Sequence, residues 1–188
     1  VVEDLIHDQH ASNYAKILAG TDTSAFKNME ISSGIYLSHK KNLNNEWNEL
    51  ENKILSKMRP WVKNENFTDK TDTSTVFYPF GGPDFLFADI FYPFSRRYIM
   101  GGLEPCGSMI DLESLSDQDF QFFLKSVRQS IYVPNKVGFF KTNNMKTELK
   151  SKYLNGVIHL LMFYLAKTGH MISSVDNISQ LINRCFQS

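Results

Sequence analysis

The stretch Thr75-Val-Phe-Tyr-Pro-Phe-Gly-Gly-Pro-Asp-Phe-Leu-Phe-Ala-Asp-Ile-Phe-Tyr-Pro-Phe94 is followed, after Ser95, by Arg96-Arg-Tyr-Ile-Met-Gly-Gly-Leu-Glu-Pro-Cys-Gly107. Two apolar runs each end in a Gly-Gly pair that is followed closely by a carboxylate and a proline. β-Branched and aromatic residues over 75–80 predict a strand, which Gly81 and Gly82 break. Pro83 suits a first helical turn and Asp84 suits the charge preference of a helix N-terminus. A short helix over 85–91 then ends before Pro93, and a second strand over 97–103 leads into a turn at 104–107.

Outward from this unit, residues 41–63 carry Leu43, Trp47, Leu50, Ile54, Met58 and Trp61 at spacings of four and three, which predicts an amphipathic helix with all six on one face. Pro60 is expected to kink or end it. A helix over 3–19 stops at Gly20, and 21–39 is turn-rich. Ser116 with Asp119 has the form of a capping box that opens a helix bearing Phe120, Phe123, Leu124, Val127 and Ile131. Further expected elements are a strand over 137–140, a long helix over 145–168 stopped by Gly169, and a strand over 170–175. The alternation of strands and helices predicts an α/β fold: one domain over 1–188 with a mixed sheet of about four strands and helices packed against it, 1–39 being an N-terminal segment outside the main pattern and the C-terminus incomplete.

The 188 residues suffice for one domain with a full core. Only 42% are apolar, but 15 Phe and 8 Tyr supply bulk for burial. Twenty basic and twenty acidic residues cancel, so no positive footprint for nucleic acid is present. No apolar run reaches the roughly 20 residues that a membrane-spanning helix needs. Cys106 and Cys185 are read as buried thiols, although an oxidising compartment would allow them to pair. The chain opens Val-Val-Glu-Asp, which reads as processed or excerpted, and no signal or lipid anchor is visible.

The candidate chemistry gathers around the Gly-Gly turns. Asp84 and Glu104 both follow strand ends, the place where open α/β sheets hold ligands, and as a pair they suit acid–base work. Tyr78, Gly81, Gly82 and Arg97 are the candidate ligand-binding residues: glycine amides before a helix can cradle an anion, and Arg suits carboxylate or phosphate. Each has a plainer role as turn, helix charge or solvated strand end. The Gly-Gly spacing matches neither GxGxxG nor a P-loop, no GxSxG elbow is present, and no cofactor or metal set is recognisable. His7 and His10 lack a third ligand, and His159 lies on an apolar helix face as a core histidine.

The segments 78–93, Gly102-Leu-Glu-Pro105, Phe140-Lys-Thr-Asn-Asn-Met-Lys146 and 156–170 resemble an uncharacterised family of bacterial exported proteins labelled as lipoproteins, over roughly residues 40–176. The resemblance implies a periplasmic or cell-envelope location and no activity. The expected function is binding of a small molecule or an envelope protein, without nucleic acid. The alternative is a hydrolase of unknown substrate that uses Asp84 and Glu104.

Overall fold

The computed structural model describes residues 8–21, 33–65, 75–79, 81, 84–101, 105–137, 154 and 156–176. The protein is mostly helical, with a two-stranded parallel sheet as its β-structure among the described residues. The expected mixed sheet of about four strands therefore does not form.

The strand–helix–strand unit does. Strand β1 (Thr75–Tyr78) pairs in parallel with β2 (Arg97–Met100), Thr75 opposite Arg97 and Tyr78 opposite Met100. Helix α4 (Phe85–Phe91) is the crossover between them, as a parallel pair requires. Of the other two expected strands, the one over 170–175 does not form. Of the one over 137–140, Val137 is the last residue of a helix, and 138–140 lie outside the described residues. Residues 170–176 run without regular structure along α1, held by single bonds rather than a ladder. The Ile172 carbonyl accepts from the Asp8 amide at 3.1 Å and from Ser12 Oγ at 3.3 Å, while Ile172 itself is buried.

Helix α1 (Gln9–Ala19) is opened by Asp8, whose carboxylate accepts from the Ala11 amide at 2.9 Å, and closed by left-handed Gly20. It buries Ala11, Tyr14, Ala15 and Leu18. Helix α2 (Ser33–Leu50) begins eight residues before the predicted helix, so Ile35-Tyr-Leu37 lies in its first turns. It passes through a π turn (Glu51–Leu55) into α3 (Ser56–Asn64), which Pro60 does not end. The π turn shifts the end of the expected apolar face, of which Leu43 and Leu50 are buried and Trp47, Ile54 and Met58 are half-buried against the core. The buried stripe is Leu43, Leu50, Leu55 and Val62, whereas Trp61 is 47% exposed. The step of five from Leu50 to Leu55 is the i→i+5 register of a π turn, seen in the Ser56 amide bonding the Glu51 carbonyl.

Helix α5 (Asp117–Val137) starts with the predicted box: Ser116 Oγ accepts from the Asp119 amide at 3.2 Å and donates to the Asp119 carboxylate at 2.8 Å. Helix α6 (Ile158–Lys167) follows a break at Gly156, which adopts φ +84°, a left-handed conformation. The predicted helix is therefore not continuous over 145–168, and residues 145–153 lie outside the described residues. The amides of Val157 and Ile158 donate to the carbonyls of Pro105 and Cys106 at 3.0 and 2.9 Å. The turn after β2 thus satisfies two of the amides that a helix start leaves open. A Cβ on Gly156 would lie 2.4 Å from the Gly107 nitrogen. Cys106 is exposed and forms no disulfide among the described residues, contrary to a buried thiol, and Cys185 lies outside them.

Helix α1 packs on α6 and α2 packs on α5, around a core that includes Leu18, Phe120, Phe123, Phe163 and Tyr164. Two histidines are fully buried in it. His39 Nε2 donates to the Leu18 carbonyl at 3.0 Å and its Nδ1 accepts from Arg128 at 3.2 Å, joining α1, α2 and α5. His159 Nδ1 accepts from the Tyr14 hydroxyl at 2.7 Å, and that oxygen accepts from the Ile110 amide at 3.4 Å. Burial lowers the pKa of both histidines from 6.5 to about 4, with the Arg128 and Lys167 charges adding to the effect at His39 against the opposing bond to Leu18. Both are therefore neutral in the folded protein at pH 7.

Three outcomes follow from this architecture. Gly156→Ala should lower unfolding free energy in urea by about 2–4 kcal/mol, through a positive φ and a backbone clash together. Val62→Ser should cost about 2 kcal/mol or more, whereas Trp61→Ser should cost about 1 kcal/mol or less, the reverse of the order that unbroken helical periodicity predicts. The unfolded chain takes up the histidine protons first, so stability should be full above pH 6.5 and fall as pH drops towards about 4. The loss is about 3 kcal/mol per histidine, and urea midpoints across that range measure it. In His159→Asn, whose Oδ1 can still accept from Tyr14, about half of the loss should disappear.

Candidate functional site

The residues singled out around the Gly-Gly turns divide between the two ends of the sheet. Tyr78 closes β1 and Gly81 follows it; the Asp84 amide donates to the Gly81 carbonyl at 2.9 Å. Asp84 stands at the start of α4 without a side-chain cap bond. Its charge reaches two phenols: burial first, then Asp84, raises the pKa of Tyr78 and of Tyr164. Tyr78, Gly81 and Asp84 therefore share one neighbourhood. Arg97 does not join them. It pairs in register with Thr75, about 10 Å along the strands from Tyr78, and it is exposed. Gly82 and Glu104 lie outside the described residues. The Asp84 amide is already used by the Gly81 carbonyl and is not open to an anion. No group of three metal-ligating side chains occurs among the described residues.

A separate concavity lies against α4. A cavity of about 610 Å³ opens between α2, α3, α4 and the end of α6. Its apolar walls come from Trp47 on α2, Val62 on α3, Leu86 and Ile90 on α4, and Phe94 beyond it. Its charged groups are Arg59 and Lys63 on α3, Lys167 on α6 and Asp89 on α4. A volume of this size suits a small organic molecule.

The π turn gives this cavity its cationic side. In an uninterrupted helix Arg59 would stand about 120° around the axis from Trp47, and Lys63 about 160°. One extra residue in the turn subtracts about 100° and brings both towards the Trp47 face. Arg59 is ion-paired with Glu51 on the π turn itself. Asp89, the one carboxylate among the lining residues described, is bound by His170 Nε2 at 2.9 Å. The imidazole is held in turn edge-on to Phe85, 5.3 Å between ring centres.

Lys167 is the most unusual group in the cavity. It occupies the last turn of α6, near that helix's open carbonyls. Its Nζ lies 5.4 Å from the centre of the Trp47 ring and 6.0 Å from that of Phe163. No carboxylate pairs with it among the described residues. Burial, and then the charge of Lys40, lowers its pKa. Beside it the Thr168 hydroxyl turns back to the Tyr164 carbonyl at 2.8 Å and is not a free nucleophile. Tyr98 packs on Phe85, and burial together with the Asp89 charge pushes its phenol up to about 12.

Sequence periodicity places Trp47 in the core and leaves Lys167 as an unremarked end-of-helix cation. The one available signal is a lysine closing a strongly apolar helix just before Gly169, and that pattern more commonly marks a dipole partner. Among the described residues no helix is long and apolar enough to cross a membrane. Comparison with family models, curated proteins and solved structures finds no match for this chain.

Proposed function

We propose that this protein binds a small amphipathic molecule with an anionic head in the cavity between α2, α3, α4 and α6, and does so in the bacterial cell envelope. The location rests on the resemblance of residues 40–176 to exported proteins. The binding reading is carried by one observation: an apolar cavity of about 610 Å³ is lined by three cationic side chains, Arg59, Lys63 and Lys167, and by one carboxylate, Asp89, among the described residues, with Arg59 ion-paired to Glu51 and Asp89 bound by His170. Apolar walls favour a hydrocarbon or aromatic body. The cations supply charge-assisted hydrogen bonds, each worth roughly 1.5–3 kcal/mol. A cationic ligand would meet repulsion from Lys63 and Lys167.

Trp47 in the wall reports on occupancy once Trp61 is replaced by Phe. In the W61F protein, dodecanoate below its micelle-forming concentration should change Trp47 emission saturably, and dodecyltrimethylammonium should not. Replacing both Arg59 and Lys63 by Ala should weaken dodecanoate binding about tenfold or more. Saturation by neither ligand, or equal saturation by both, would overturn the assignment.

A further inference from the structure

We propose that Lys167 is a nucleophilic amine that condenses with an aldehyde or ketone carrying an anionic group, forming a Schiff base inside the cavity. This rests on the reading of the cavity as an anion site and names the reactive class of molecule it accepts.

Four features of the structure converge on Lys167. The amine sits against two aromatic faces, Trp47 and Phe163, in place of a carboxylate. It opens onto a cavity large enough for a substrate. Lys40 stands close enough for its charge to oppose protonation of Lys167, in the same direction as burial. Desolvation and a neighbouring cation are the two conditions that raise the neutral, nucleophilic fraction of a lysine. Arg59 and Lys63 share the cavity and are placed to hold the anionic end while the carbonyl meets Nζ. Lys53 is the contrast: its side chain is 67% exposed and its amine is paired with Glu49 at 3.1 Å.

The step balances without any further reagent. The Nζ lone pair of the neutral amine bonds to the carbonyl carbon. The two amine protons leave with the carbonyl oxygen as one water molecule, and C=N replaces C=O. Protonation of the imine restores the positive charge over Trp47 and Phe163, where the ring faces favour a cation. Arginine at this position would keep the charge and lose the nucleophile, which separates the two roles of the residue.

The experiment uses the full chain at pH 7 with 4-carboxybenzaldehyde and cyanoborohydride, which traps the imine, followed by peptide mass spectrometry. Lys167 should be modified at least about tenfold faster than Lys53, reflecting its larger neutral fraction, and dodecanoate should suppress that excess. Lys167→Arg should abolish the excess while circular dichroism stays unchanged. Modification of Lys167 no faster than Lys53, with dodecanoate still binding, would overturn the reactive lysine and leave the binding function standing. Absence of both dodecanoate binding and preferential modification would overturn the two together. Preferential modification that dodecanoate does not suppress supports the reactive amine and overturns the cavity as a carboxylate site.

Discussion

The hydrogen bond between the Tyr14 hydroxyl and His159 Nδ1 is the constraint on which the rest of the structure depends. Both side chains are buried where α1 packs on α6, and a buried polar group left unpaired costs about 1–3 kcal/mol. Their hydrogen bond pairs the Tyr14 hydroxyl with His159 Nδ1 and ties the two helices together, while His159 Nε2 is buried without a partner among the described residues. Phe123 from α5 closes on both rings, at 6.3 and 5.6 Å between centres, and the Ile110 amide completes the Tyr14 oxygen. The position of α6, and with it the direction in which Lys167 leaves the core, is therefore tied to α1, α5 and the chain before α5. His39 makes a comparable junction among α1, α2 and α5.

Two local departures from ideal geometry then place the site. At Gly156 the chain reverses tightly enough for the Pro105 and Cys106 carbonyls to cap α6. The second glycine-rich turn is thus a support for a helix start, and its neighbour at the other end of that helix is Lys167. The π turn at Glu51–Leu55 redirects α3 relative to α2. It preserves the buried stripe through Val62 and carries Arg59 and Lys63 round to Trp47. A regular helix would have kept the tryptophan and turned the cations away from it.

The resulting cavity combines surroundings that usually occur apart. Its walls are those of a hydrophobic interior, yet its cations outnumber its carboxylates. Asp89, the one carboxylate among the described lining residues, is hydrogen-bonded by His170, and Arg59 is ion-paired with Glu51 on the π turn. Lys167 is left with aromatic faces as its partners, an arrangement that tolerates a charge without fixing it to one geometry. The charged groups of the proposed site therefore come mainly from α6 and α3, whereas the aromatic strand–helix–strand unit contributes one wall through Leu86, Ile90 and Phe94.

Much of this architecture was legible locally. The strand–helix–strand unit at 75–100, the Ser116–Asp119 box, and the glycine stop after α1 each follow from a few neighbouring residues, because turn chemistry and capping are short-range effects. The apolar run at 170–175 misled, since a short apolar segment fits a docked coil as well as a strand, and only partners choose between these. The candidate site was less legible. Asp84 and Tyr78 do lie together, but Arg97 stands at the other end of the strands because parallel register, a pairing property, put it there. By itself the sequence determined which segments have a face to bury and where several of them start and stop, through side-chain type and backbone conformational preference. Only the tertiary structure decided that one turn of the long helix would widen and that Lys167 would meet Trp47 rather than a carboxylate. Both depend on which distant helices compete for the same core, and no local preference encodes that.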